Sequence, residues 1–250
     1  MRKTFSSSEV DKILEKIAPP LLESYPIQFR KVTEKTLSYH CDKLLEIESK
    51  RIFPIYPWII GLDTFDLFFR ANECVKGSIL LAYGGYYNSA LVLLRSVIEL
   101  GCYIIYFKDH PVEYSWWKEK KDIGYSFNEL IENYLFRLDF FDKFTITKRD
   151  GKKENILKNA IKTTYSDISL VIHGRWKSDK NILLLDYDEE QFQHWYYDFL
   201  KTMDIFNILI LVGYWDKFEK EGREGIISSI SDESLRGFFE NNRAKPLITL

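Results

Sequence analysis

One stretch constrains the fold more than any other, the segment 84–107, which reads GGYYNSALVLLRSVIELGCYIIYF. It carries only two charged side chains, Arg95 and Glu99. On a helical wheel its apolar side chains point in every direction, a pattern typical of a helix buried on all sides. Because residues four positions apart share a helix face, Arg95 and Glu99 form one polar stripe. The sequence therefore predicts a buried central helix whose stripe marks the place to look for function.

The rest of the chain also repeats apolar residues at helical spacing, and no segment alternates convincingly. The predicted fold is all-α, a single bundle of about seven or eight helices in 57–250 with an N-terminal helical extension in 1–56. A hinge is expected at 51–57, which holds two prolines, and an exposed polar turn at 148–153. The predicted helices cover 8–17, 28–49, 58–83, 86–107, 112–121, 126–144, 154–173 and 189–219, with a last short helix from about 231.

Cysteine usage and charge indicate the class of protein. Cys74 and Cys102 lie in apolar runs without any CxxC spacing, which suits small buried side chains in a reducing compartment. The net charge of −2 excludes a general polycation. Charged or glycine residues interrupt the apolar runs, and no secretory signal is visible. We therefore expect a soluble cytoplasmic protein that does not enter a membrane.

A second polar stripe lies on the predicted helix 154–173. Tyr165, Ser169 and His173 are spaced by four and share one face at the edge of an apolar arc, so they should be half-buried. The surrounding segment is basic, because positions 143–180 contain ten Lys or Arg and only four Asp or Glu. A phosphate-binding site requires such a flank, although a solvated helix face gives the same pattern.

The two stripes resemble a known group of proteins. The segment GYYNSALVLLRSVIE followed by YSDISLVIHG is similar to poorly characterised bacterial helical proteins with an LLRSxxE and a downstream Tyr…Ser…His-Gly pattern. More distantly it resembles the HEPN superfamily of helical bundles, many of which are ribonucleases or toxins in bacterial conflict systems and work as dimers. The resemblance covers about 60–175 and leaves out the first 50 residues and the long helix at 189–219.

The resemblance implies a protein that binds or cleaves RNA or a nucleotide, in bacterial anti-phage defence or a toxin system, as a homodimer or with a partner protein. Cleavage would make it a metal-independent endoribonuclease. The candidate catalytic residues are His173 as acid or base, Arg95 or Arg175 on the phosphate, Glu99 orienting Arg95, and Ser169 or Tyr165 as a hydrogen-bond donor. The candidate nucleic-acid contacts are Arg175, Lys152, Lys153 and Lys177.

The chain departs from the nuclease pattern at one point. Nuclease members carry an Arg shortly before the His, and here Ser166, Asp167 and Ile168 occupy those positions. Two other functions therefore stay open. The protein could be a non-enzymatic module for dimerisation or partner binding, or it could hold a small ligand against the central stripe. Arg95 and Glu99 could equally be a structural ion pair, and His173 a residue favoured by the helix dipole.

Other common chemistries lack their motifs. The sequence contains no GxGxxG, no GxxxxGK[ST], no HExxH and no GxSxG, and its histidines have no companions at metal-ligand spacing. We therefore expect no metal and no cofactor.

The final expectation joins the two stripes. Glu99 alone cannot satisfy the five donors of Arg95, and the helix bearing Tyr165, Ser169 and His173 is the other one with a polar line beside an apolar arc. We expect these helices to pack with their polar lines together. Arg95→Ala should then cost about 3–5 kcal/mol, because Glu99 would be left unpaired.

Overall fold

The computed structural model describes residues 19–49, 59–119, 126–148, 150–172 and 186–241. Within these ranges the chain is all-α apart from one small hairpin, so the predicted fold class is confirmed. The helices are α1 (Pro19–Ser49), α2 (Phe65–Tyr83), α3 (Tyr87–Asp109), α4 (Pro111–Lys118), α5 (Phe127–Asn133), α6 (Ile156–Ile172), α7 (Glu189–Gly213), α8 (Lys220–Ser229) and α9 (Glu233–Asn241). Short helical turns occupy Leu135–Arg137, Asp139–Asp142 and Trp215–Lys217.

The central helix of the bundle is α3, which packs against α2, α6 and α7. A chain of hydrogen bonds ties three of these helices together. Trp195 Nε1 of α7 donates to Ser78 Oγ of α2 (2.9 Å), and Ser78 Oγ donates to the carbonyl of Ala90 in α3 (2.9 Å). The close approach of α3 and α7 depends on Gly101, where a Cβ would lie 3.0 Å from the ring of Phe206. These contacts fix the position of the Arg95–Glu99 stripe relative to the rest of the bundle.

The prediction that the central helix is buried on every side is wrong. Val92 is 42% exposed, and Asn88 and Ser89 beside it are also exposed. The helical wheel counts apolar residues, but it does not count the helices available to cover them. In the described part of the chain α2, α6 and α7 pack against α3 and leave these three residues open to solvent.

Several predicted helix ends are confirmed. Ser126 and Glu129 form a capping box at the start of α5, with Glu129 N donating to Ser126 Oγ and Ser126 N donating to Glu129 Oε2. Asp188 caps α7 by accepting from Gln191 N at 3.1 Å. Gly85 follows α2 with φ of 83°, in the left-handed region that glycine tolerates.

Other boundaries differ for physical reasons. Helix α1 begins at Pro19 rather than at residue 28, because proline suits the first turn of a helix. Helix α7 ends at Gly213 rather than at 219, where Lys108 of α3 donates to the Gly213 carbonyl at 2.7 Å. Helix α5 stops at Asn133, and two short helical turns replace the predicted continuation to residue 144.

The predicted polar turn at 148–153 is the tip of a β-hairpin that the sequence analysis missed. Strands β1 (Thr145–Thr147) and β2 (Lys153–Asn155) pair antiparallel, with Ile146 opposite Glu154. Gly151 has φ of 79° at the tip. Because β2 takes residues 153–155, helix α6 begins at Ile156 instead of 154. The predicted helix at 8–17 and the hinge at 51–57 lie outside the described residues.

Candidate functional site

The two polar stripes meet, as the sequence predicts. Arg95 Nε lies 3.2 Å from Glu99 Oε1 within α3. Arg95 Nη2 donates to the hydroxyl oxygen of Tyr165 on α6, and that hydroxyl donates to Glu99 Oε1 at 2.7 Å. The three side chains therefore close a ring of hydrogen bonds across the α3–α6 contact. Arg95 and Glu99 are each 30% exposed, so the ring borders solvent instead of lying in the core.

The ring of Tyr165 is held between two other groups. The Arg95 guanidinium carbon lies 4.5 Å from its centroid, and the ring of Phe127 stacks on it at 4.1 Å with 24° between the planes. These two contacts hold the phenol ring of Tyr165 in one orientation.

The environment keeps Tyr165 protonated. Burial raises the pKa of Tyr165 to about 12, and the hydrogen bond to Glu99 acts in the same direction while Arg95 partly opposes it. A phenol with this pKa is a hydrogen-bond donor at neutral pH and cannot serve as a general base there. Its role in the cluster is to bridge the guanidinium and the carboxylate.

A surface cavity of about 570 Å³ lies next to this cluster, at the contact of α5 and α6. It is lined by Phe127, Asn128, Glu132, Lys162, Tyr165, Ser166 and Ser169. The Ser169 hydroxyl donates its proton to the Tyr165 carbonyl at 2.7 Å. The Ser169 oxygen can therefore still accept a hydrogen bond. The cavity thus combines an aromatic wall with hydroxyl, amide and ammonium groups.

Two charged side chains of opposite sign, Glu132 and Lys162, line the cavity, and Lys158 lies beside them. Glu132 accepts from Lys158 at 2.6 Å and also from Lys162. These hydrogen bonds lower the pKa of Glu132, so it is ionised at neutral pH. Two ammonium groups therefore share one carboxylate, while Arg95 and Glu99 neutralise each other.

The structure does not bring all of the predicted site residues together. Lys152 and Lys153 are exposed at the hairpin, before α6 begins, and Lys152 Nζ lies 3.6 Å from Asp150. At 1.5 Å rise per residue, the start of α6 is roughly 13 Å along the helix from Tyr165. These two lysines are therefore not part of the cavity. His173, Arg175 and Lys177 lie outside the described residues.

Sequence reasoning missed five of the seven residues that line the cavity, namely Phe127, Asn128, Glu132, Lys162 and Ser166. Lys162 lies one turn before Tyr165 on a helix that was predicted, so its position beside the site could have been read from the spacing. Phe127 and Glu132 belong to α5, and their approach to Tyr165 depends on how α5 packs. The Ser126 capping box predicts where α5 begins but gives no information on that packing.

A second cavity of about 310 Å³ lies between α6, α7 and α9. Two of the carboxylates that line it are already used in the fold. Asp204 accepts from the backbone N–H groups of Ser231 and Asp232, and Asp232 accepts from the N–H groups of Ser234 and Leu235 at the start of α9. The remaining cation, Lys201, is 53% exposed. The third lining carboxylate, Glu154, pairs with Lys148.

Among the described residues no three His, Cys, Asp or Glu side chains lie close enough to hold a metal ion. One helix, Tyr87–Asp109, is long and apolar enough to cross a membrane by length and composition, and 61% of its apolar window is buried inside the bundle.

Comparisons with known proteins give no relative. No protein-family description, no curated protein and no solved structure matches this chain.

Proposed function

We propose that the protein is a HEPN-like helical protein that binds RNA or a nucleotide in the cavity beside Tyr165. The observation that carries the proposal is the position of Tyr165. It lines a cavity together with Lys162 and Phe127, and it also bonds to Arg95 of the half-exposed Arg95–Glu99 pair. Nucleotides present both an anionic phosphate and an aromatic base. Lysine and arginine attract the first, and aromatic side chains and amides contact the second.

The size and charge of the cavity favour a small ligand or a single strand. Glu132 and Lys162 in the cavity neutralise each other, and Lys158 beside them adds one positive charge. One charge is too little for the many phosphate contacts that binding a duplex requires. Phe127 is partly exposed and can contact a base on the side that Tyr165 does not cover. The substrate class proposed is therefore a mononucleotide or a short segment of single-stranded RNA.

Binding is better supported than cleavage. Tyr165 stays protonated, and Arg95 is already engaged with Glu99 and Tyr165. An RNA-cleaving reaction needs an acid or base, and the proposed one is His173, with Arg95 or Arg175 on the phosphate. If the bound RNA is cleaved in this way, the protein is a metal-independent endoribonuclease of a bacterial defence or toxin system.

The binding test measures fluorescence anisotropy of a labelled single-stranded RNA oligonucleotide and of a labelled adenine nucleotide. Lys162→Ala should weaken binding and lower the slope of log K against log salt by about one, as expected for the loss of one phosphate contact. The matched control is Lys217→Ala, because Lys217 is 56% exposed and pairs with Asp216 at 3.8 Å away from the cavity. Equal affinity in the wild type and Lys162→Ala, or an equal loss in the control, would refute the site.

Cleavage is tested separately by incubating the purified chain with total RNA in the presence of a chelator. We expect fragments from the wild type and none from His173→Ala. An intact RNA pool with preserved anisotropy binding would restrict the function to binding.

A further inference from the structure

The outer face of α2 carries an ordered stripe of four side chains. Phe69, Glu73, Lys76 and Leu80 are spaced by four, three and four residues, which places them on one line along the helix. Phe69 is 54% and Leu80 60% exposed, although both are large and apolar. Between them Glu73 and Lys76 are 52% and 51% exposed. The opposite face of the same helix is buried in the bundle core.

The stripe has the same spacing from either end, and reversing its direction exchanges only the positions of the acid and the base. An apolar side chain stands at each end, and an acid and a base stand between them. The midpoint between Phe69 and Leu80 coincides with the midpoint between Glu73 and Lys76. A single two-fold axis through that midpoint therefore places each apolar end against the other and each charge against its opposite.

We propose that a second copy of this chain packs antiparallel on the stripe, as an isologous interface. In this arrangement Phe69 contacts the partner's Leu80, and Glu73 pairs with the partner's Lys76. Two-fold symmetry then repeats both contacts, which is how most homodimers close. Over the twelve residues from Phe69 to Leu80 the contact runs for about 16 Å along each helix.

Charge decides the orientation of the two helices. In a parallel pairing Glu73 would face the partner's Glu73, and like charges in contact oppose association. In the antiparallel pairing each carboxylate meets an ammonium group. At present Lys76 Nζ lies 2.9 Å from Glu73 Oε1 within one helix, an exposed pair that contributes little in water. Packing between two apolar ends removes water from the pair and strengthens it.

A flanking contact leaves the stripe accessible. The Arg70 guanidinium stacks over the Trp117 ring at 5.1 Å, so this neighbouring cation is directed towards α4. The stripe lies on α2, away from the α5–α6 cavity, and the inference does not rest on RNA or nucleotide binding.

The test measures the mass of the full-length chain by sedimentation velocity over a wide range of protein concentration. We expect a concentration-dependent dimer. Glu73→Lys should raise the dimer dissociation constant about tenfold or more, because two like-charged contacts replace two opposite ones. Lys76→Glu should do the same, and the double exchange Glu73→Lys/Lys76→Glu should restore the dimer.

A matched control separates the interface from the loss of an intrahelical ion pair. Arg30 Nε and Glu34 Oε1 form a similar exposed pair on α1 at 2.7 Å, so Glu34→Lys should leave the dimer unchanged. The proposal is overturned by a monomer at every concentration, by a dimer that Glu73→Lys does not weaken, or by a double exchange that fails to restore it. A dimer disrupted equally by Glu34→Lys would also overturn it. Far-ultraviolet circular dichroism confirms that each variant keeps its helices.

Discussion

Replacing Arg95 by alanine is the perturbation that most directly tests the ring of hydrogen bonds between α3 and α6. The substitution removes an ion pair with Glu99, a hydrogen bond to Tyr165 and the contact of a guanidinium with the phenol ring. It does not remove the hydrogen bond of 2.7 Å from Tyr165 to Glu99. Glu99 therefore keeps one donor, and at 30% exposure it also keeps access to water.

The expected cost follows from these contacts. A hydrogen bond to a charged group contributes about 1.5–3 kcal/mol. A partly exposed ion pair adds about 0–1 kcal/mol, and a cation–π contact at an exposed site about 0.5–1 kcal/mol. Since one guanidinium makes all three contacts and water replaces part of them, we expect Arg95→Ala to cost about 2 kcal/mol. The larger loss of about 3–5 kcal/mol expected from the sequence assumes a buried Glu99 without a partner.

Urea denaturation followed by circular dichroism measures this cost. A cycle with Tyr165→Phe should give a coupling energy of about 1 kcal/mol between the two side chains, because both belong to one hydrogen-bonded ring. Arg95→Met combined with Glu99→Leu should recover much of the lost stability, since it removes both charges together.

Arg223→Ala serves as the matched control. Arg223 is partly buried, and its guanidinium lies 4.6 Å from the centroid of the Trp215 ring, so its loss reports mainly the stacking contribution. A cost for Arg95→Ala no larger than for Arg223→Ala, together with no coupling to Tyr165, would refute the hydrogen-bonded ring as a stabilising unit.

Three further outcomes test other parts of the structure. Because the pKa of Tyr165 is raised to about 12, its protonated form stabilises the fold below the unfolded pKa near 10, and this contribution is lost as pH rises through about 12. The difference in unfolding free energy between wild type and Tyr165→Phe should therefore be constant below about pH 10 and shrink above it, in urea titrations at stepped pH. Gly151→Ala, at a φ of 79°, should cost about 1 kcal/mol, whereas Gly225→Ala in the interior of α8 should be neutral or stabilising by up to about 1 kcal/mol in the same assay. Ser126→Ala should cost about 1 kcal/mol by removing the cap of α5, and an unchanged melting temperature would mean that the bond to Glu129 contributes nothing.

Local sequence signals predicted the features that depend on local chemistry. The capping box at Ser126, the cap at Asp188 and the glycines after α2 each mark a helix end through the backbone groups of their own neighbours. The meeting of α3 with α6 was also predictable. Each helix carries one polar line beside an apolar arc, and burying both arcs without stranding a charge leaves few other arrangements.

The features that the sequence did not predict depend on contacts between distant segments. At the end of α7 the carbonyl of Gly213 accepts a hydrogen bond from Lys108, which belongs to another helix. The strands of the hairpin are three residues long, which is too short to show the alternation of apolar and polar residues that predicts a strand. The exposure of Val92 depends on how many helices pack against α3, and the amino-acid composition of α3 gives no information on that number.

The exposure of the Arg95 cluster also bears on what such a cluster is for. An ion pair contributes most to stability where water is excluded and each of its donors has a hydrogen-bond acceptor. Arg95 and Glu99 are instead 30% exposed and bonded to Tyr165, and this tyrosine also lines the cavity at the α5–α6 contact. Tyr165 holds the arginine in place through its hydroxyl and its ring at once. An arginine fixed in this way loses little side-chain entropy when an anion binds, and pre-organisation of this kind favours binding.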